Sequence, residues 1–131
     1  MADFRQNIQP EGIYRPATYD HAIRAGNTLY VAGQVARDIS GNLVAPNDAA
    51  GQAQQVYHNL GKVLEAAGAK PEHVVKVTTY LTDPADSGAV SKVRLQFFGT
   101  HRPPHTGLIV AGLGGPEVKV EVEVIAVLPE E

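Results

Sequence analysis

His105, Thr106 and Gly107 follow Pro103 and Pro104 late in the chain, and Glu121 and Glu123 stand on a β-alternating run a few residues further on. An imidazole with an ordinary pKa near ~6.5 can donate, accept or relay a proton close to neutrality. Each proline pushes the residue before it into an extended conformation, so the approach to His105 is stiff. Gly107 lets a ligand come close to the backbone. Such a segment can hold a carboxylate or carbonyl, or it can simply begin a strand; spacing alone leaves both readings open. A period of two sends successive side chains to opposite faces, so Glu121 and Glu123 share one face of the run 118–127. Val118, Val120, Val122 and Val124 fill the other face and read as core. If a second surface covers the glutamates, desolvation raises a carboxyl above ~4.3 and makes it a general acid or base; otherwise both are solvated.

Other chemistries find less support. The chain has no cysteine, which excludes disulfides, thiolate nucleophiles and thiolate metal sites. His101 and His105 are four apart, but the prolines between them forbid a helix, so the spacing does not build a shared metal-binding face. No metal or other cofactor is expected. His101 is read as a partner for free carbonyls at a helix end, His58 and His73 as surface residues, and His21 is open. The segment 112–116 lacks the lysine and following helix of a phosphate-binding loop. Eleven scattered Lys and Arg against fourteen acids, a formal net charge of −3, leave no footprint for nucleic acid. No apolar run reaches the ~18 residues of a membrane span, and no signal-like apolar segment opens the chain, so a cytoplasmic protein is expected.

The elements that must carry these residues follow from the pattern. A length of 131 residues suits one domain, 1–131. Residues 1–18 read as an extended N-terminal arm or loops. A short strand at 19–23 turns at Ala25-Gly26-Asn27 into a second strand at 28–35. Asp48 caps a helix over 49–67, with Ala53, Val56, Tyr57, Leu60, Val63, Leu64 and Ala67 inward and Gly68 as its stop. Gly51 and Gly61 are read as places where that helix nears the sheet. Val74–Leu81 is the clearest strand; a helix at 86–98 ends at Gly99, and strands at 106–110 and 118–127 complete the chain. The order β-β-α-β-α-β-β predicts an α+β fold, a mixed sheet with two helices packed on one face. The other face carries residues such as Tyr30, Ala32, Ile125 and Val127, or their opposites. An apolar face of that extent predicts a homo-oligomer with clefts between subunits.

The runs Leu29-Tyr30-Val31-Ala32-Gly33-Gln34, Ala53–Leu60, Val63–Gly68, Val74–Asp83, Phe97-Phe98-Gly99 and Val120–Ala126, in this order and at these spacings, resemble the Rid/YjgF family of small imine and enamine deaminases. The resemblance covers about Tyr19 to Val127. It implies a chorismate-mutase-like fold, a homotrimer whose sheets line a central barrel, and a small-molecule ligand in clefts between subunits. It also implies a reaction, the addition of water to the C=N of a 2-imino acid or its enamine and the loss of ammonia. In active members an arginine in a Pro-x-Arg-Ser segment grips the substrate carboxylate, and a glutamate on the last strand positions water. Here His105 stands in the arginine's place, Glu121 matches the glutamate, and Tyr19 resembles a tyrosine at the cleft mouth. Ala32 stands where many members carry serine. The expected catalytic residues are therefore His105 and Glu121, and the expected ligand-binding residues Tyr19, Ala32, Gly33, Thr106 and Gly107. An imidazole lacks the forked, permanent charge of guanidinium, so typical 2-imino-acid turnover is disfavoured and the expected substrate is a small imine, enamine or related carbonyl compound that is not held by an arginine. A metabolite-binding trimer without turnover is the alternative. Ribonuclease activity, attached to some relatives, is disfavoured by the acidic balance.

Overall fold

A computed structural model describes residues 4–129; residues 1–3 of the expected arm, and residues 130 and 131, lie outside the described part. Six strands form one sheet in the order β1-β2-β3-β6-β4-β5, where β1 is Arg5–Ile8, β2 Ala22–Ala25, β3 Thr28–Gln34, β4 Val74–Leu81, β5 His105–Ile109 and β6 Val120–Val127. Two helices, α1 (Ala49–Ala66) and α2 (Ser87–Phe98), are packed on one face. The expected mixed sheet with helices on one side is therefore present. All neighbouring pairs are antiparallel except β4 and β5. Parallel neighbours require a crossover, and α2 supplies it.

Part of the arm is not loop. Residues 5–8 pair antiparallel with β2 as an edge strand. Asn7 and Gln9 donate to the Asp20 carboxylate and tie this strand to the loop before β2. Three polar residues and a single buried isoleucine carry little hydrophobic signal, which is why composition alone reads this edge strand as arm. The first hairpin turns at Gly26, whose φ of 60° favours a residue without Cβ.

Helix α1 begins at Asp48, whose side chain accepts from the Gly51 N–H, and stops before Gly68 at φ 76°. Its glycines do not face the sheet. A Cβ on Gly61 would meet Phe97 of α2, and one on Gly51 would collide with the Asp48 cap and Ala45. The inward face meets Leu29, Val31, Val77, Val120, Val122, Val124 and Ala126, all buried. The valine face of β6 is thus core as expected, and each fully buried valine contributes about 1.5–3 kcal/mol of transfer free energy.

The opposite face of the sheet has no covering layer among the described residues. Tyr30 is 50% exposed and Val127 43% exposed there, beside Ile125 and Ala32. Edge strand β5 is exposed at all five positions, including Leu108 and Ile109.

Candidate active site

The antiparallel pairing of β3 with β6 is irregular. Val31 is level with Val124 but Gln34 with Val122, so β3 carries an extra residue across Ala32-Gly33. Such a bulge re-aims the residues beside it. The Gln34 amide fixes it from inside, donating to the Ala32 carbonyl at 3.1 Å and to His21 Nδ1 at 3.2 Å. His21 completes the brace with its Nε2–H donating to the Tyr14 carbonyl, which settles the open reading of this buried histidine as a structural one.

The bulge makes room for Glu121. A Cβ built on Gly33 would lie 2.1 Å from Glu121 Oε2, so the carboxylate rests directly on the glycine backbone. Burial first, and then the neighbouring Glu123 charge, push the Glu121 carboxyl above its ordinary range. Tyr19, Ala32, Gly33 and Glu121 line one cavity of about 430 Å³, together with Val35, Arg37, Gly114 and Val118. Four of the expected site residues are therefore brought together. A larger hollow of about 580 Å³ lies between α1 and α2 and shares no residue with this one.

His105, Thr106 and Gly107 lie elsewhere in the same chain. His105 is level with Val77 on β4 and Glu121 with Tyr80, with β4 between their strands. Three residues along and two strands across separate their Cα atoms by about 14 Å. They also point to opposite faces. His105 takes the face of buried Val77 and Thr79, and its Nε2 is 2.9 Å from Thr79 Oγ1. Glu121 shares the open face with Tyr80, and Lys76 Nζ on that side donates to Thr106 Oγ1. A single chain thus holds two half-sites. One is acidic, around Glu121; the other is cationic, around β5.

The cationic half contains a residue that spacing did not single out. Arg94 on α2 places Nη1 2.8 Å from His105 Nε2 and 3.2 Å from Nδ1. Partial burial and the Arg94 and Lys76 charges, in that order, hold the imidazole below its ordinary value. His105 is accordingly neutral at pH 7, which suits hydrogen bonding better than proton donation. Reading helix α2 for its apolar face passes over Arg94; only the crossover that lays α2 over β5 puts the two together.

The loops beside the acidic cavity are held by amides that an apolar pattern also misses. Gln52, fully buried on α1, donates to the Ala45 and Glu117 carbonyls and accepts from the Lys119 N–H. Asn59 donates to the Arg37 carbonyl at 3.0 Å. His101, expected to serve the end of α2, instead donates from Nε2 to the Val74 carbonyl at 2.7 Å, and Arg102 takes the helix-end carbonyl of Gly99. His73 Nδ1 accepts from the Lys70 N–H, and His58 is exposed. Among the described residues no three His, Asp or Glu side chains converge as a metal site.

Comparison with known proteins accounts for this arrangement. Residues 11–128 match the sequence profile of the family described as Endoribonuclease L-PSP. The 2-iminobutanoate/2-iminopropanoate deaminase of Rattus norvegicus is 36% identical over 83% of this chain and 79% of its own length. The crystal structure of RidA from the Antarctic bacterium Psychrobacter matches at TM-score 0.87 with 31% identity, covering 94% of this chain and 99% of that one. That of E. coli TdcF with bound serine matches at TM-score 0.86 with 27% identity, covering 95% and 99%. The matched profile, the identity to the rat deaminase and the shared fold together place the chain in the Rid/YjgF (L-PSP) family.

Proposed function

We propose that this protein hydrolyses an imine or enamine of a small 2-oxo acid in a cleft between two copies of the chain. The observation that carries the reading is the Glu121 carboxyl seated on Gly33, desolvated and raised, in a cavity that Tyr19 helps to line. A carboxylate with a raised pKa is a better base toward water than an ordinary glutamate. Water held by Glu121 attacks the imine carbon and gives its proton to the carboxylate. The nitrogen takes that proton to give a carbinolamine; its hydroxyl then gives a second proton, through the same carboxylate, to the nitrogen as the C–N bond breaks, so ammonia leaves and the oxygen stays as the carbonyl of a 2-oxo acid. Ala32 and Gly33 line the floor against the ligand, and Tyr19 caps the mouth.

The half-sites explain the second copy. Among the described residues the cation lining the Glu121 cavity, Arg37, is engaged by the Gly41 carbonyl, so the other end of a substrate calls for a further partner. The uncovered sheet face and the exposed edge β5 are the surfaces by which a homotrimer would close, and closure of that kind brings the cationic edge of one copy to the acidic cavity of the next. His105, Thr106 and Gly107 then face the ligand from the neighbour, His105 as a neutral hydrogen-bonding partner. The rat relative's named activity and the serine bound to TdcF agree with a small amino-acid-like ligand.

The test is ammonia release from 2-iminobutanoate, generated in situ by an amino acid oxidase, with a mixing arm. Glu121→Gln and His105→Ala are each prepared, then unfolded and refolded together in equal amounts. Sites between copies regain about one quarter of wild-type turnover, because that fraction pairs an intact acidic half with an intact β5 half in a head-to-tail ring. Recovery near zero, from two variants each inactive alone, would place the whole site in one chain and sink the cleft.

A further inference from the structure

The family resemblance puts a guanidinium at position 105, where this chain has histidine. We propose that Arg94 on helix α2 supplies the guanidinium that grips the ligand's carboxylate, with His105 as the surface on which it is seated. The proposal rests on the cleft described above and names the residue that sets its preference for carboxylate ligands.

The geometry favours a seated but available guanidinium. One nitrogen of Arg94 approaches both nitrogens of the His105 ring, so it lies against the face of the imidazole and not in its plane. The tautomer with a proton on Nε2 donates in the ring plane to Thr79 Oγ1, and Arg94 rests on the π face of the ring. Of five guanidinium N–H donors, the ring engages one at most. No carboxylate pairs with Arg94 among the described residues, and the ring it touches also feels the positive charge of Lys76. A half-buried cation without a counter-ion is placed for an anion. The planar fork matches a carboxylate through two parallel hydrogen bonds, which an imidazole cannot supply.

Topology puts this fork at the expected end of the site. Helix α2 is the crossover between β4 and β5, so a side chain from its inner turn reaches the first residue of β5 from above. A guanidinium absent from the strand is thereby returned from the helix. Arg37 is the rival, since it lines the Glu121 cavity. Its Nη1, however, donates to the Gly41 carbonyl at 3.0 Å and braces the turn at 38–41.

Calorimetric titration with 2-oxobutanoate, and with its neutral amide, tests the assignment on the assembled protein. Arg94→Ala weakens 2-oxobutanoate binding by at least about 30-fold, the loss of a charge-assisted pair, and leaves amide binding within about twofold. Arg94→Ala combined with His105→Arg recovers much of the loss, because the fork moves to the strand. Circular dichroism confirms that each variant is folded, and Arg94→Lys, which keeps the charge but not the fork, gives an intermediate affinity. Unchanged affinity in Arg94→Ala, an equal loss for acid and amide, a larger loss in Arg37→Gln, or no binding of 2-oxobutanoate by the wild type would each overturn the proposal. The two readings separate cleanly. Carboxylate binding through Arg94 without ammonia release removes the hydrolysis and keeps the anchor, whereas ammonia release indifferent to Arg94 does the reverse.

Discussion

The cavity around Glu121 and the edge around His105 differ in how the chain makes them. Beneath Glu121 the sheet is at its most constrained: Val120 and Val122 are fully buried on the far side, and the bulge at 32–33 is braced by Gln34 and His21. The carboxylate position is therefore fixed by backbone, and its raised pKa is a direct consequence of that placement. The edge at β5 is exposed along its length, and its polar groups are held by side chains from two elements: Lys76 and Thr79 of β4 and Arg94 of α2. A rigid acid and an adjustable cation divide the labour that a hydrolytic site needs. The acid must be pre-positioned, because catalysis depends on geometry, while an anchor can adapt to the ligand it holds.

Replacing the acid separates the halves most sharply. Glu121→Gln should lower ammonia release by about 10²–10⁴-fold, the range for a lost general base, while 2-oxobutanoate still binds. The same variant should be more stable than the wild type at pH 7. The folded-state pKa of Glu121 lies above its unfolded value, so its favourable contribution is complete below ~4.3 and is lost as pH rises through the raised value. Thermal melts of the two proteins should therefore differ at pH 7 and converge toward pH 4. Convergence in the opposite direction would mean that the carboxylate is stabilised where it sits.

Gly33→Ala probes the same half through the backbone. The added methyl would occupy the place of Oε2, at 2.1 Å, and the carboxylate must move. A displacement on the order of 1 Å costs about 10²-fold in turnover. Arg94 and His105 are untouched, so the affinity for 2-oxobutanoate should change far less than kcat. A parallel loss of both would show that the two halves are not independent.

The acidic half was largely legible in sequence. The alternation of valine and charge in β6 gives the face of Glu121, and Ala32-Gly33-Gln34 gives the partner on β3 through the family resemblance. The bulge that joins them was not, since a one-residue shift between strands leaves no compositional trace. At the other half, the prolines and Gly107 correctly mark an extended segment, but its neighbour Arg94 is distant in the chain and lies on a helix read for its apolar face. Gln52 and Asn59 were missed for the same reason: periodicity identifies buried positions by apolarity, and these amides are buried because they satisfy loop carbonyls. Helices, central strands and their order depend on local pattern and were readable. Contacts across the crossover and the bulge depend on tertiary pairing and were not.

Gln52→Ala tests whether the loops beside the acidic cavity depend on that hidden amide. It deletes three hydrogen bonds and leaves the Lys119 N–H without its partner, while the Ala45 and Glu117 carbonyls keep the Asp48 and Asn47 N–H groups, at a cost of about 2 kcal/mol in a urea titration. The loop carrying Gly114 and Val118 loosens, so turnover falls at temperatures where the protein is still folded. Carboxylate affinity, set at the β5 edge, falls less than turnover.

The smallest expected effect belongs to the His105 ring, and it tests the cationic half without ligand. Burial, Arg94 and Lys76 hold the folded-state pKa of His105 below its unfolded value of ~6.5. The unfolded chain then takes up a proton first as pH falls. His105 contributes its full stability above pH ~6.5 and loses it as pH drops through the depressed folded value. His105→Gln has no such proton to bind, so the wild type should lose ground to it between pH 7 and pH 5. Because the ring is exposed, the difference is a small shift in melting temperature, and it should shrink further in the Arg94→Ala background, where one of the repelling charges is gone. A gap that is independent of pH, or unaffected by Arg94, would mean that the guanidinium does not sit on the ring in solution.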